Sequence, residues 1–196
     1  MHDSAKGFLP GRLIAGAIAR LLGWKITGQV PQESRYVLIG APHTSNWDLL
    51  YTLLLSLHFS IHLRWIGKQS LFRFPLSLLT RLIGGLPADR GSAGSSQVDM
   101  FTRLFQDVDK RVIGIAPEGT RKASSHWHKG FYYIALNSSV PVAMGFMDAS
   151  RKEIGIGPVL YPTGDIESDF AVIRNFYRDK QGLVRENKSV LELKND

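Results

Sequence analysis

Six short runs of β-forming residues, WKITGQV, RYVLIGA, HLRWIG, RVIGIA, VPVAMGFM and EIGIGPVL, punctuate this chain, and most are separated by stretches of helical pattern. That alternation constrains the fold strongly, because a strand that returns parallel to its neighbour needs a crossover, and the usual crossover is a helix. It predicts an α/β layered fold with a largely parallel or mixed sheet flanked by helices. The helical stretches lie at 47–57, 71–82 and 130–137. A further helix is expected at 98–108 after the loose segment ADRGSAGSSQ, and a final amphipathic one at 170–177 is expected to cover a sheet edge. At 196 residues the chain suits one domain with a full core and one active site.

The polar clusters fall where this fold puts ligands. RYVLIGAPH empties into His43, HLRWIGK into Lys68, and RVIGIAPEGTR into Glu118 and Arg121. If those strands are parallel neighbours, the three clusters share the C-terminal rim of the sheet, where loops converge and helix N-termini point their N–H groups outward.

Charge narrows the ligand class. Lys and Arg number 24 against 17 Asp and Glu, a net charge of +7, which favours an anionic partner such as nucleic acid, a phospholipid surface or a phosphorylated substrate. Nucleic acid is disfavoured, because the aromatics are not interleaved with the basic residues as stacking platforms are. The absence of cysteine excludes disulfides, thiol nucleophiles and Cys-ligated zinc, and accords with a reducing compartment.

The N-terminal stretch FLPGRLIAGAIARLLGWK is apolar, but Arg12 and Arg20 leave an uncharged run far below the roughly 20 residues that span a bilayer. That run is also too short for a secretory signal. With Arg12, Arg20 and Lys25 at its margins, the stretch reads as a helix lying in a lipid interface. The expected division is therefore an interfacial helix at 1–25 and a catalytic or binding domain at 26–196.

The segment HTSNWD sets His43 and Asp48 five positions apart at the start of a helix. Ser45 followed three residues later by Asp48 is the pattern of a capping box, in which the acid serves the helix alone. The same spacing lets the carboxylate accept from one imidazole nitrogen and leave the other as a general base. Backbone N–H groups at a helix N-terminus favour a carboxylate's charge, so Asp48 would orient the ring and not donate a proton. A metal site is disfavoured: His58 and His62 straddle a helix-to-strand break, and His126 and His128 flank Trp127 in a polar loop.

In PEGTR, Gly119 between an acid and Thr120 permits a tight turn, and Arg121 offers a planar fork suited to phosphate. Lys68 and Arg73 in GKQSLFRFP and Arg90 in LPADR supply further cations. Each one singly reads as solvated surface charge, and only a shared placement at strand exits argues for a site.

HTSNWD, GKQSLFRFP, LPADR, APEGTR and VPVAMG stand in the order and spacing of the sequence blocks of the lysophospholipid acyltransferase family, which includes glycerol-3-phosphate and 1-acylglycerol-3-phosphate acyltransferases. The resemblance covers about residues 36 to 147. It implies the glycerolipid acyltransferase fold and acyl transfer from acyl-CoA or acyl carrier protein to the hydroxyl of a lysophospholipid-like acceptor, without a cofactor. It also implies His43 as base held by Asp48, with Lys68, Arg73, Arg90, Glu118, Gly119, Thr120 and Arg121 around the acceptor's phosphate. The implied setting is peripheral, on the cytoplasmic face of a phospholipid membrane.

The sequence departs from the family pattern at Pro42 before the histidine, at Ala116 before PEGTR, and in the single proline of VPVAMG. These departures leave the acceptor open. WHKGFYYIA resembles a bacterial subgroup, and its aromatics suit either the core or an acyl channel. A non-catalytic module that binds anionic phospholipid, and an acyl thioesterase in which water replaces the lipid hydroxyl, are the rival readings.

Overall fold

The computed structural model describes residues 9–88 and 94–194. One seven-stranded sheet runs through it, built from β1 (Lys25–Gly28), β2 (Arg35–Ala41), β3 (Leu63–Lys68), β4 (Gly85–Ala88), β5 (Arg111–Ile115), β6 (Val142–Asp148) and β7 (Glu153–Leu160) in the order β1-β7-β6-β2-β5-β3-β4. The five strands from β6 to β4 are parallel neighbours, while β7 pairs antiparallel with β6 and carries β1 parallel to itself. The sheet is thus mixed and largely parallel, as the alternation predicts.

Among the described residues six α-helices flank it: α1 (Leu9–Leu21), α2 (Asp48–His58), α3 (Leu76–Leu82), α4 (Gly94–Arg103), α5 (Gly130–Asn137) and α6 (Ile166–Tyr177). The central strand β2 alternates its side chains between two apolar layers, so it is buried on both faces, as a covered parallel sheet requires. Val37, Ile39 and Ala41 face one core with Ile113, Val142 and Met144, closed by Phe101 of α4, Phe131 of α5 and Phe170 of α6. Tyr36 and Leu38 face the other with Leu63, Val112 and Ile156. Trp24, Leu55, Met147 and Ile154 continue that second layer beneath α1 and α2.

The aromatics of WHKGFYYIA belong mainly to the core. Trp127, Phe131 and Tyr132 are each 1% exposed, whereas Tyr133 reaches the surface. Burying side chains of this size contributes on the order of 2–3 kcal/mol each, so the first three hold the fold and do not line an open channel.

Local details depart from the sequence reading for identifiable reasons. The helix expected at 71–82 is divided into a 3₁₀ turn, Gln69–Phe72, and α3, because Pro75 has no N–H and its ring cannot sit inside a helix. Strand β4, GLPA, lacks β-branched residues and carries Pro87, a combination tolerated at a sheet edge, so periodicity gave no sign of it. The helix α6 packs over β6 and over the end of β7 that extends past its pairing with β1. Its Tyr177 hydroxyl donates to Gly145 O of β6 at 2.8 Å, and Phe176 lies where a side chain at Gly157 of β7 would be. Asp165 caps its N-terminus by accepting from Ser168 N.

Helix α1 is amphipathic in an unusual sense. Its small residues Ala15 and Ala19 are fully buried on the protein side, while Leu13 and Ile14 are exposed and Leu21 is 88% exposed. The residues that a water-soluble helix would turn inward are turned outward.

Candidate active site

The C-terminal ends of β2, β5 and β3 lie side by side, so His43, the PEGTR turn and Lys68 do share one rim of the sheet. Adjacent strands are about 4.8 Å apart, which puts the β3 exit roughly 10 Å from the β2 exit. Lys68 closes β3, and Arg73 follows the 3₁₀ turn; both are exposed. Arg90 lies outside the described residues.

At the exit of β2 the chain turns so that His43 Nδ1 stands 3.0 Å from Asp48 Oδ2. The same oxygen accepts from Thr44 N at 2.8 Å and Ser45 N at 2.9 Å. Three donors thus converge on one carboxylate oxygen in the first turn of α2. The capping and dyad readings are therefore not alternatives. Asp48 reaches back to the Ser45 N–H as a capping box would, and holds the imidazole with the same atom, while Ser45 Oγ accepts from Trp47 N. With Nδ1 engaged, Nε2 is the nitrogen left for chemistry, on a side chain that is 30% exposed beside a carboxylate that is 10% exposed.

Glu118 is where the sequence reading needs correction. Expected to shape the acceptor's pocket, it is only 2% exposed, and both carboxylate oxygens are engaged inside the protein. Oε1 accepts from His43 N at 2.8 Å and Oε2 from the Ser189 hydroxyl at 2.7 Å. A carboxylate so placed ties the β5 exit to the β2 exit and leaves no face for a substrate. Burial raises its pKa, and the hydrogen bonds from His43 N–H and the Ser189 hydroxyl oppose that rise. Buried nearby, Tyr177 is pushed well above the ordinary phenol value by desolvation and by the Glu118 charge, so it stays a neutral donor.

Gly119 makes the tight turn that the sequence predicts. Its φ is +64°, and a Cβ there would stand 2.9 Å from the His128 ring, so both the turn and the neighbour require glycine. The turn is closed by Gly119 N donating to Ala116 O at 3.0 Å, and His128 N donates to Pro117 O at 2.8 Å. Thr120 is half-buried and its Oγ1 accepts from Lys122 N. Arg121 is exposed, and its guanidinium donates to the Asn46 side-chain oxygen, which joins the two motifs directly.

Sequence reasoning missed Asn46, Thr44 and Ser189. Asn46 and Thr44 lie inside the HTSNWD segment with nothing in their spacing to set them apart from the histidine; Ser189 sits in a polar tail with no motif to mark it. Among the described residues no cluster of three His, Asp or Glu side chains could hold a metal ion.

The sequence profile of the acyltransferase family matches residues 24–144, which spans both the His43–Asp48 segment and the PEGTR turn. The chain belongs to the acyltransferase family. No curated protein matches its sequence at a significant level. Among solved structures this acyltransferase is similar to that of the 1-acyl-sn-glycerophosphate (LPA) acyltransferase PlsC from Thermotoga maritima, with a TM-score of 0.56 and 18% identity over 86% of this chain and 76% of that one. The likeness extends to the mixed sheet flanked by helices, the fold that the motif resemblance implies.

Proposed function

We propose that this acyltransferase moves a fatty acyl group from the thioester of acyl-CoA or acyl carrier protein to the hydroxyl of a lysophospholipid-like acceptor, such as 1-acylglycerol-3-phosphate. The observation that carries the proposal is the His43 Nδ1 to Asp48 Oδ2 contact of 3.0 Å on the same rim as Lys68 and Arg121. His43 Nε2 takes the proton of the acceptor's hydroxyl as its oxygen attacks the thioester carbonyl. The tetrahedral intermediate collapses, the thiolate leaves with the proton returned by the imidazolium, and an ester is formed. No acyl-enzyme is needed. Lys68, Arg73 and Arg121 hold the acceptor's phosphate, with Arg90 assigned by motif alone, and Gly119 and Thr120 shape the turn beneath it. Holding two reactants in line is worth roughly 7–11 kcal/mol of barrier, so a cationic clamp remote from the reacting hydroxyl has a clear purpose. The activity named for the Thermotoga maritima neighbour supports this class of acceptor.

The same reading places the enzyme on a membrane surface. Among the described residues no helix is long and apolar enough to cross a bilayer. Bare apolar side chains nonetheless stand on α1, through Leu13 and Leu21, and on α3, through Leu78 and Leu82, with Phe74 just before α3 at 93% exposure. No acidic residue stands between Asp48 and Asp89, while Arg64, Lys68, Arg73 and Arg81 do, so the surface around α3 suits the anionic cytoplasmic leaflet.

Mass spectrometry of products from the purified protein given mixed lysolipids and either donor tests the function. A diacyl product that forms only with acceptor present is expected. Free fatty acid alone, formed equally without acceptor, would make the protein a thioesterase, and no product would leave only the binding module.

A further inference from the structure

We infer that the segment after α6, residues 182–194, is a strap that completes the active-site loop, and that Ser189 is a positioning residue acting through Glu118 on His43. The inference rests on the reading of His43 as the general base. It concerns a stretch beyond residues 24–144, the part matched by the family.

The strap touches the catalytic loop at three successive points. Gly182 lies so close to Thr44 that a Cβ there would fall 2.4 Å from Thr44 Oγ1. Val184 N then donates to Thr44 Oγ1, and Asn187 Nδ2 donates to Thr44 O, both at 3.2 Å. Thr44 is itself buried and follows His43 directly, so its side chain and carbonyl fix the peptide on the C-terminal side of the base. On the N-terminal side the fixing group is Glu118, whose Oε1 accepts from His43 N while Oε2 accepts from Ser189 Oγ. Ser189 Oγ in turn accepts from Ser124 N at 3.1 Å. The chain of contacts Ser124–Ser189–Glu118–His43 therefore links three separate segments, the β5–α5 loop, the strap and the β2–α2 loop, through one buried hydroxyl and one buried carboxylate.

Main-chain pairing holds the strap down independently of these side chains. Val190 N donates to Ser124 O, Trp127 N to Glu192 O and Lys194 N to Trp127 O, between 2.7 and 2.9 Å. Because that ladder persists when a side chain is trimmed, removing the Ser189 hydroxyl should leave the strap in place. What it removes is the donor on Glu118 Oε2, together with the acceptor of Ser124 N. A buried carboxylate oxygen without a donor is unfavourable, so Glu118 turns toward other partners and releases the His43 N–H. The consequence is a displaced imidazole with the phosphate-binding rim unchanged.

The test is Ser189→Ala in the full chain, assayed for acyl transfer at saturating donor and acceptor. Loss of one buried hydrogen bond to a charged group predicts a fall in kcat of about tenfold. KM for both substrates should stay within about twofold, since no residue of the rim moves. Two further readouts separate positioning from general loosening. In a Glu118→Gln background, Ser189→Ala should cost far less than it does alone, because the two act through one contact. Asn187→Ala, which frees the Thr44 carbonyl by a separate route, should lower kcat about threefold and serves if Ser189→Ala does not fold. Val190→Ala, an exposed side chain of the strap, should leave turnover unchanged. A folded Ser189→Ala or Asn187→Ala protein with unchanged kcat, a loss confined to KM, or full additivity with Glu118→Gln would overturn the inference. His43→Ala in the same series keeps the readings apart: if that variant turns over normally the general base is wrong, and if it is inactive while Ser189→Ala is normal only the strap is wrong.

Discussion

Replacing Asp48 with Asn tests how the dyad works, because it alters charge with little change of shape. The Asp48 oxygen that accepts from His43 Nδ1, Thr44 N and Ser45 N can be reproduced by the amide oxygen, so the loop keeps its main-chain bonds. What is lost is the negative charge facing the imidazolium that forms when His43 takes a proton. At about 3 Å and an effective dielectric near 20, a charge pair is worth on the order of 5 kcal/mol. The His43 side chain is 30% exposed, so solvent reduces that to roughly 3 kcal/mol, or about a hundredfold in rate. Asp48→Asn is therefore expected to lower kcat by about 10²-fold, with KM for the acceptor little changed and the melting temperature within a few degrees of the parent. Asp48→Ala should behave differently: it strips the Thr44 and Ser45 N–H groups of their acceptor, at about 1–3 kcal/mol each, and so should melt earlier as well. Steady-state kinetics beside thermal melts decide the matter. An Asp48→Asn enzyme within threefold of parental kcat would refute the electrostatic role and leave Asp48 only to position the ring and cap the helix.

Three further outcomes follow from the same geometry. Arg121→Ala should raise KM for a phosphorylated acceptor by on the order of tenfold or more while KM for the acyl donor stays put, as measured with the two substrates varied separately. His58 is held below its ordinary value of 6.5, first by burial and then by the Arg12 guanidinium, so the unfolded chain gains a proton before the folded one does. Stability should accordingly be complete above about pH 6.5 and fall as the pH drops below it; thermal melts of the parent and of His58→Gln across that range should converge, and parallel curves would remove His58 as the cause. Phe74→Asp together with Leu78→Asp should leave the melting temperature and kcat on soluble, short-chain acceptors intact, yet weaken sedimentation with phosphatidylglycerol vesicles by at least about tenfold, since each apolar side chain contributes roughly 1.5–3 kcal/mol on leaving water.

The sheet and the site were legible in the sequence to different depths. Strands β2, β5 and β6 announce themselves as apolar runs because they are buried on both faces, and their common direction follows from the helices between them. The sheet edge was hidden, since GLPA packs against β3 without the residue types that mark a strand. His43, Asp48 and Gly119 were readable because spacing and backbone demand them. Glu118 was read with the wrong orientation: its motif advertises a polar group, but only the fold reveals that both oxygens turn inward to His43 N and Ser189. Ser189 could not have been found, for its partners lie 65 and 71 positions away in sequence. The exposed leucines of α1 show the same limit from the other side. A hydrophobic stripe gives a helix its pattern, but whether the stripe meets protein or lipid depends on the small residues Ala15 and Ala19 packing inward.

The central claim is that an imidazole removes the proton from a lipid alcohol, and turnover of His43→Ala measures it directly. With lysolipid and acyl donor both saturating, and product quantified by mass spectrometry, the account predicts a loss of at least about 10²-fold in a variant that still melts cooperatively and still binds vesicles. Turnover within a few-fold of the parent would contradict it.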